Sequence, residues 1–350
     1  PMTAPVPQDL DTGIEYGNRP FASGPYKIAT YQRGERLVLV RNEHWDPATD
    51  PVRHQYPDTI QFEFGASNVQ INERLIAGQG SDAAALTWHT VPTQVLPKVL
   101  ADSAVLDRVV RGLKQYNIFL AINTQRVRDV AVRQALNYAI DRESFLKVYS
   151  PVGAEPGTTI LSPTTLGYER YNAYDGGPNG DAERAAELLG GEAVPLTYAY
   201  INSPAQQRIA AFFQGNLQRA GFDVTLQAVD ADKWYTSVGS RDNPFDLYVV
   251  GWGSDWPSGA TVIPPLLDGR TIASSGNMNF SYLDVPEVNA RMDEISLVTD
   301  LEAGGAEWAA LDREIMEKHA PIVPLTYERS FSLTGSRVGG AFLSSRYGAT

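Results

Sequence analysis

Cysteine is absent from all 350 residues. That absence excludes disulfides, thiolate-bound zinc, iron–sulfur clusters and cysteine nucleophiles together. It leaves the compartment open, since many large secreted bacterial proteins also lack disulfides. Histidine is nearly as scarce: His44, His54, His89 and His319 are scattered without metal-ligand spacing, and no H-E-x-x-H occurs. His89, beside Trp88 in LTWHT, could line a cleft, but one imidazole does not make a nickel site, so no metal is expected. Basic residues are outnumbered, 29 Lys and Arg against 41 Asp and Glu, for a net charge of −12. Such a surface repels phosphate backbones, so nucleic acid is not an expected partner. No apolar run approaches the roughly 20 residues that span a bilayer. The opening stretch PMTAPVPQDLDTG lacks a basic segment followed by an apolar one, so no signal peptide is visible: either the protein is cytoplasmic or a targeting segment has been removed.

Catalytic signatures are missing too. There is no G-x-S-x-G elbow, glycine-rich phosphate loop or kinase set. The pairs Asp230/Asp232 and Asp242/Asp246 could be imagined as a glycosidase couple, but such acids more often cap helices or solvate loops. Neither an enzyme nor a cofactor is expected.

What is present is ample core material. Hydrophobic residues make up 43%, charged residues 20% and aromatics 10%, which suits a folded chain of two domains or one domain in lobes. PYKIATY (25–31) and RLVLVRN (36–42) read as a hairpin, and IQFEFGA (60–66) as a further strand. NVQINERLIAGQGSDAA (68–84) reads as a helix ending at Gly78 and leading into a short strand. DVAVRQALNYAIDR (129–142) puts Val132, Ala135, Leu136, Ala139 and Ile140 on one helical face. After the strand VPLTYAYI (194–201), Ser203 can cap a helix, Pro204 suits its first position and Gln206 can complete a capping box. That helix turns Ile209, Phe212, Phe213 and Leu217 inward and stops at Gly221. FDVTLQAV (222–229), a short helix near 231–239 and FDLYVV (245–250) complete a strand–helix alternation typical of a parallel α/β lobe. EWAALDREIMEKHA (307–320) is a helix before the strand IVPLTYERSF (322–331). Glu302, Glu307, Asp312 and Glu314 read as its solvated face, and Arg128 and Arg133 as partners of acids near a hinge.

The apolar strand FDLYVV runs into GWGSDWPSG, where Asp255 stands between Trp252 and Trp256. Ligands of open α/β sheets bind beyond the carboxyl ends of strands. A carboxylate there can accept hydrogen bonds from an ammonium group, with indole faces excluding water. The competing reading is that Asp255 merely caps a turn and the tryptophans are core.

Several segments in order resemble the substrate-binding proteins of ABC importers, in the oligopeptide/dipeptide/nickel class known as solute-binding family 5. They are ASGPYKIATYQRGERLVLVRNEHWD (22–46), RLIAGQGSDAA (74–84), YNIFLAINTQRVRDVAVRQALNYAIDRESF (116–145), DLYVVGWGSDWPSG (246–259), NMNFSYLDVPEVNARMDE (277–294) and HAPIVPLTYERSF (319–331). The resemblance implies an α/β fold of the type II periplasmic-binding-protein kind, with two lobes of mixed sheets joined by a hinge. Lobe I would comprise 1–115 plus 323–350, sheet-rich and incomplete at its N-terminal side, and lobe II 116–322, with crossovers near 113–118 and 321–325. It further implies capture of a peptide-like or amine-bearing solute and delivery to an ABC permease, by a monomer located outside the cytoplasm. In the full-length protein a lipoprotein signal would anchor it. By resemblance Asp255 binds the ligand's amino group, Trp252 belongs to the same pocket and Trp256 forms its wall. Tyr198, Tyr200 and Asn202 are further crevice candidates. Oligopeptide binders often carry arginine three residues before the tryptophan; Val249 stands there, so Arg270 or another residue would have to replace it. The alternatives are an oligosaccharide site using Trp45, Trp88, Trp234, Trp252 and Trp256 as stacking platforms, a two-carboxylate hydrolase, and a non-transporting sensor or adhesion module.

Overall fold

A computed structural model describes residues 6–149, 154–344 and 348–349. The chain divides into two compact units, one ending at Arg74 and one beginning at Leu75.

The first unit holds a three-stranded antiparallel sheet of β1 (Tyr26–Gln32), β2 (Arg36–Arg41) and β3 (Thr59–Glu63), in that order. The β1–β2 turn closes with the Glu35 N–H donating to the Gln32 carbonyl at 3.0 Å. Gly34 supplies the left-handed conformation (φ +78°) that the tight turn needs. Asn42 is buried, and its Nδ2 donates to the carbonyls of Ala22 and Gly24 at 2.9 and 2.8 Å, fixing the approach to β1. The helix Asn68–Ala77 follows, as its pattern predicts. The short strand expected after Gly78 is instead a 3-10 turn, Gly80–Ala84.

The second unit is built on a six-stranded mixed sheet. Its strands are β4 (Val109–Ile122), β5 (Glu155–Pro156), β6 (Val194–Ile201), β7 (Phe222–Val229), β8 (Leu247–Gly253) and β9 (Ile322–Leu333), in the order β5-β9-β4-β8-β6-β7. β6 pairs parallel with β7 from Val194↔Phe222 to Ile201↔Val229, and β4 pairs antiparallel with both β8 and β9. Successive strand residues face opposite sides. Leu120, Leu247 and Tyr198 therefore enter one apolar layer, with Leu136, Phe145, Phe213 and Leu217 from helices Val130–Ala139, Arg142–Tyr149 and Pro204–Gln218. Ala121, Tyr248 and Val250 enter the other, with Trp234, Ile263, Trp308 and Ile315. The Pro204–Gln218 helix starts as the sequence signals: the Ser203 side chain accepts from the Gln206 N–H at 3.3 Å and proline occupies the first turn.

Several expectations need correction. Asp312 is not on a solvated face: it is 2% exposed, because the helix Leu301–His319 turns that position under the loop at Ile160 and Leu161. Arg133 is buried and donates to the carbonyls of His319, Val127 and Arg128 rather than to acids, and Arg128 donates to the Gln125 carbonyl. The strand read as ending at Val250 runs on through Trp252 to Gly253, held by its pairing with β4. Between β4 and β9 the register steps from Leu113↔Arg329 to Asn117↔Tyr327, so Lys114–Tyr116 bulge opposite Glu328 alone. Among the described residues no helix is long and apolar enough to cross a membrane, and no group of three or more His, Asp or Glu is placed to hold a metal.

Candidate functional site

β8 occupies the middle of the sheet, and its two neighbours treat it differently. β4 stays paired with it to Gly253. β6 pairs with it only at Tyr198↔Leu247 and Ala199↔Tyr248. From Val249 onward the β6-facing edge of β8 therefore has no ladder partner among the described residues, and a crevice opens at the carboxyl ends of two parallel strands.

The loop leaving β8 is tightly organised. Trp252 is half-buried against the core layer, and its Nε1–H donates to the Thr261 carbonyl at 2.7 Å. The Thr261 hydroxyl donates to the carbonyls of Ser258 and Trp256 at 3.0 and 3.2 Å. The Ser258 hydroxyl accepts from the Ala260 N–H at 3.3 Å. Gly259 lies so close to the Trp308 ring that a Cβ there would stand 2.5 Å from the Trp308 Cβ. Asp255 is the exception in this loop. It is exposed, and its carboxylate accepts no hydrogen bond and joins no ion pair among the described residues. It is therefore not a turn cap but a solvent-exposed acid. Trp256 beside it is 59% exposed.

Two concavities lie near these elements. A groove of about 550 Å³ is lined by Trp256, Leu166, Val298, Leu301 and Trp308. A smaller pocket of about 150 Å³ sits where β6 and β8 part, lined by Tyr198, Tyr200, Tyr149, Gln206, Trp234 and Val249. The structure thus groups Tyr198 with Tyr200 in one pocket, and places Trp252 at the end of β8 with Asp255 and Trp256 in the loop that follows. Asp255, Trp252, Asn202 and Arg270 line neither concavity. Asn202 is exposed at the end of β6, its N–H donating to the Val229 carbonyl. Arg270 is committed elsewhere: it donates through Nε and Nη2 to Asp268 and through both terminal nitrogens to Asp293, at 2.6 to 2.9 Å. The hydrogen bonds it donates to Asp268 and then Asp293 raise its pKa further above the ordinary arginine value.

In each of the two carboxylate pairs weighed as a hydrolytic couple, one member has a structural partner. Asp246 is buried, accepting from Arg126 Nε and the Thr197 N–H, both at 2.7 Å, and Asp230 pairs with Lys233 at 3.5 Å. Tyr149 and Gln206 were not singled out from sequence as pocket residues. The position of Gln206 suits a capping box, but among the described residues its side-chain amide bonds no backbone N–H, and it lines the pocket instead.

Comparison with known proteins bears on this arrangement. The family described as bacterial extracellular solute-binding proteins, family 5 Middle, matches residues 1–274. Glutathione-binding protein GsiB of Salmonella choleraesuis (strain SC-B67) is 21% identical over 355 aligned positions, 98% of this chain and 66% of its own. The GsiB of Escherichia coli O1:K1 / APEC is 22% identical over 359 positions with the same coverage. The chain thus spans slightly less than two thirds of these curated relatives. Among solved structures, clavulanic acid biosynthesis oligopeptide binding protein 2 superposes with a TM-score of 0.88 and 29% identity, over 97% of this chain and 64% of that one. The periplasmic binding protein DppA from Helicobacter pylori, in complex with the peptide STSA, gives 0.72 and 20%, over 93% and 62%.

Proposed function

Because the chain belongs to family 5 of the bacterial extracellular solute-binding proteins, we propose that it captures a peptide-like or amine-bearing solute for delivery to an ABC permease. One observation carries this reading: Asp255 is an exposed carboxylate without a partner among the described residues, two positions past the carboxyl end of β8, in a loop whose other polar groups are largely satisfied. An ammonium group donating to it would contribute about 1.5–3 kcal/mol. A cation over the face of Trp252 or Trp256 would add about 0.5–2 kcal/mol. Micromolar affinity needs about −8 kcal/mol. The remainder would come from the unladdered edge of β8, which offers main-chain groups to an extended peptide. Among the relatives, two are named for glutathione and one was solved with a peptide, which supports the ligand class.

In this account residues 1–115 with 323–350 and residues 116–322 form two lobes that close on the solute, the bulge at Lys114–Tyr116 easing the bend. The protein acts as a monomer outside the cytoplasm, anchored to the membrane as a lipoprotein, and performs no catalysis. A sugar site of stacked indoles is not favoured, since Trp234 is 4% exposed and Trp45 directs its Nε1–H to Asp50. The test is calorimetric titration with alanine-rich tri- to pentapeptides, each with a free and an acetylated amino end. Binding of the free forms, weakened at least tenfold by acetylation, supports the proposal; equal binding of both forms overturns it.

A further inference from the structure

The 150 Å³ pocket between the ends of β6 and β8 has a feature that its aromatic lining does not explain. Tyr198 is 1% exposed and its ring is fixed against Phe213, with centroids 5.2 Å apart. Its hydroxyl nevertheless has no hydrogen-bond partner among the described residues. The hydroxyl is not among the fully enclosed orphan atoms, so it opens onto accessible space, and Tyr198 lines this pocket. The same holds around the rim: the hydroxyls of Tyr149 and Tyr200, the side-chain amide of Gln206 and the indole N–H of Trp234 are likewise without partners among the described residues. No Lys, Arg, His, Asp or Glu lines the space. Its volume is about that of an engineered cavity that accepts a single benzene ring.

These observations select a ligand group. A charged side chain entering the pocket would lose its water and meet no counter-charge. An aliphatic one would fill the volume and leave the tyrosine, indole and amide groups unmatched. A ring with its own hydrogen-bonding atom satisfies both demands, and a site built for such an atom discriminates strongly against the analogue without it.

We propose that this pocket sets the specificity of the captured solute by accepting one uncharged, ring-sized side chain that carries a hydrogen-bonding group, such as a phenol or an indole. Val249, on the β8 wall, keeps the pocket neutral and thereby excludes acidic and basic side chains. The proposal rests on the reading that the solute is peptide-like, and it names the part of that solute which is selected.

The experiment titrates the full chain with tetra-alanine peptides in which one position in turn is Tyr, Phe, Lys or Glu, each with a free amino end. At one position Tyr should bind at least tenfold more tightly than Ala, with Phe between them and Lys and Glu weaker than Ala. Tyr198→Phe should abolish the preference for Tyr over Phe, with circular dichroism confirming an intact fold. Val249→Arg should convert rejection of Glu into preference. If no position discriminates among the side chains, the pocket is not the selector, whatever the fate of the amino end. A preference for Tyr that persists unchanged in Tyr198→Phe and Val249→Arg also overturns it. If acetylated Tyr peptides retain the Tyr198-dependent preference, the pocket proposal stands and capture through Asp255 fails instead.

Discussion

The indole N–H of Trp252 donates to the carbonyl of Thr261 across 2.7 Å. This bond ties the end of β8 to the Gly259–Thr261 turn, whose threonine hydroxyl reaches back to the Trp256 and Ser258 carbonyls. Replacing Trp252 with Phe keeps an aromatic ring but removes the donor and leaves the Thr261 carbonyl without its partner. Stability should fall by about 1–3 kcal/mol, and peptide affinity with it. Denaturant unfolding alongside calorimetry checks both; an unchanged unfolding midpoint would remove Trp252 as the organiser of this loop.

Close approach of backbone to ring gives a second prediction. Gly259 lies against Trp308, and an added methyl would meet Trp308 Cβ at 2.5 Å and Cγ at 2.6 Å. Trp308 is buried and cannot swing away freely. Gly259→Ala should therefore cost about 1–3 kcal/mol through overpacking, and should weaken ligand binding by displacing the Asp255 loop. Wild-type stability in the variant would contradict this packing.

Asp312 should make stability depend on pH. Burial outweighs its hydrogen bonds from Tyr171, Leu161 and Ile160 and raises its pKa from 3.8 to about 6. The folded state therefore holds this proton more tightly than the unfolded chain. The favourable contribution is complete below about pH 4 and is lost as pH rises through about 6. Relative to wild type, Asp312→Asn should gain stability across that window, by an amount on the order of 1–3 kcal/mol. Thermal unfolding at half-unit pH steps reads the difference, and a constant offset between the two proteins would refute it.

Arg142 is buried, and among the described residues no carboxylate is hydrogen-bonded or ion-paired to it; Nε donates to the Pro324 and Gly157 carbonyls at 2.8 and 3.1 Å. Burial lowers its pKa to about 10, still high enough to keep it charged at neutral pH. It joins the helix Arg142–Tyr149 to β9 and the segment after β5. Arg142→Met keeps the stem and removes the donors, so the loss should be about 3 kcal/mol from orphaned carbonyls. Urea unfolding would show it as a lower midpoint with an unchanged slope.

Local signals carried much of this structure. The β1–β2 hairpin follows from two alternating runs around a glycine turn, and the Pro204–Gln218 helix from its Ser203 cap. Asp255 stood out because an acid follows directly on a buried strand. What could not be read locally depends on partners far along the chain. Asp312 shares a helix with Glu302, Glu307 and Glu314, and only the amides of Ile160 and Leu161, some 150 residues earlier, reveal its burial. Arg133 looked like an ion-pair partner because the His319 carbonyl it serves is 186 positions away. The pocket residues Tyr149 and Gln206 belong to separate helices that converge only where β6 and β8 part.

Capture of an ammonium group by Asp255 is tested most directly by a two-by-two titration: wild type and Asp255→Asn, each with a free-amine tetrapeptide and its N-acetyl form. A charge-assisted contact of about 1.5–3 kcal/mol corresponds to a roughly 10- to 150-fold loss on acetylation in the wild type. In Asp255→Asn that loss should shrink to within a few-fold. If acetylation costs the same in both proteins, the ligand's amino group is held somewhere other than Asp255.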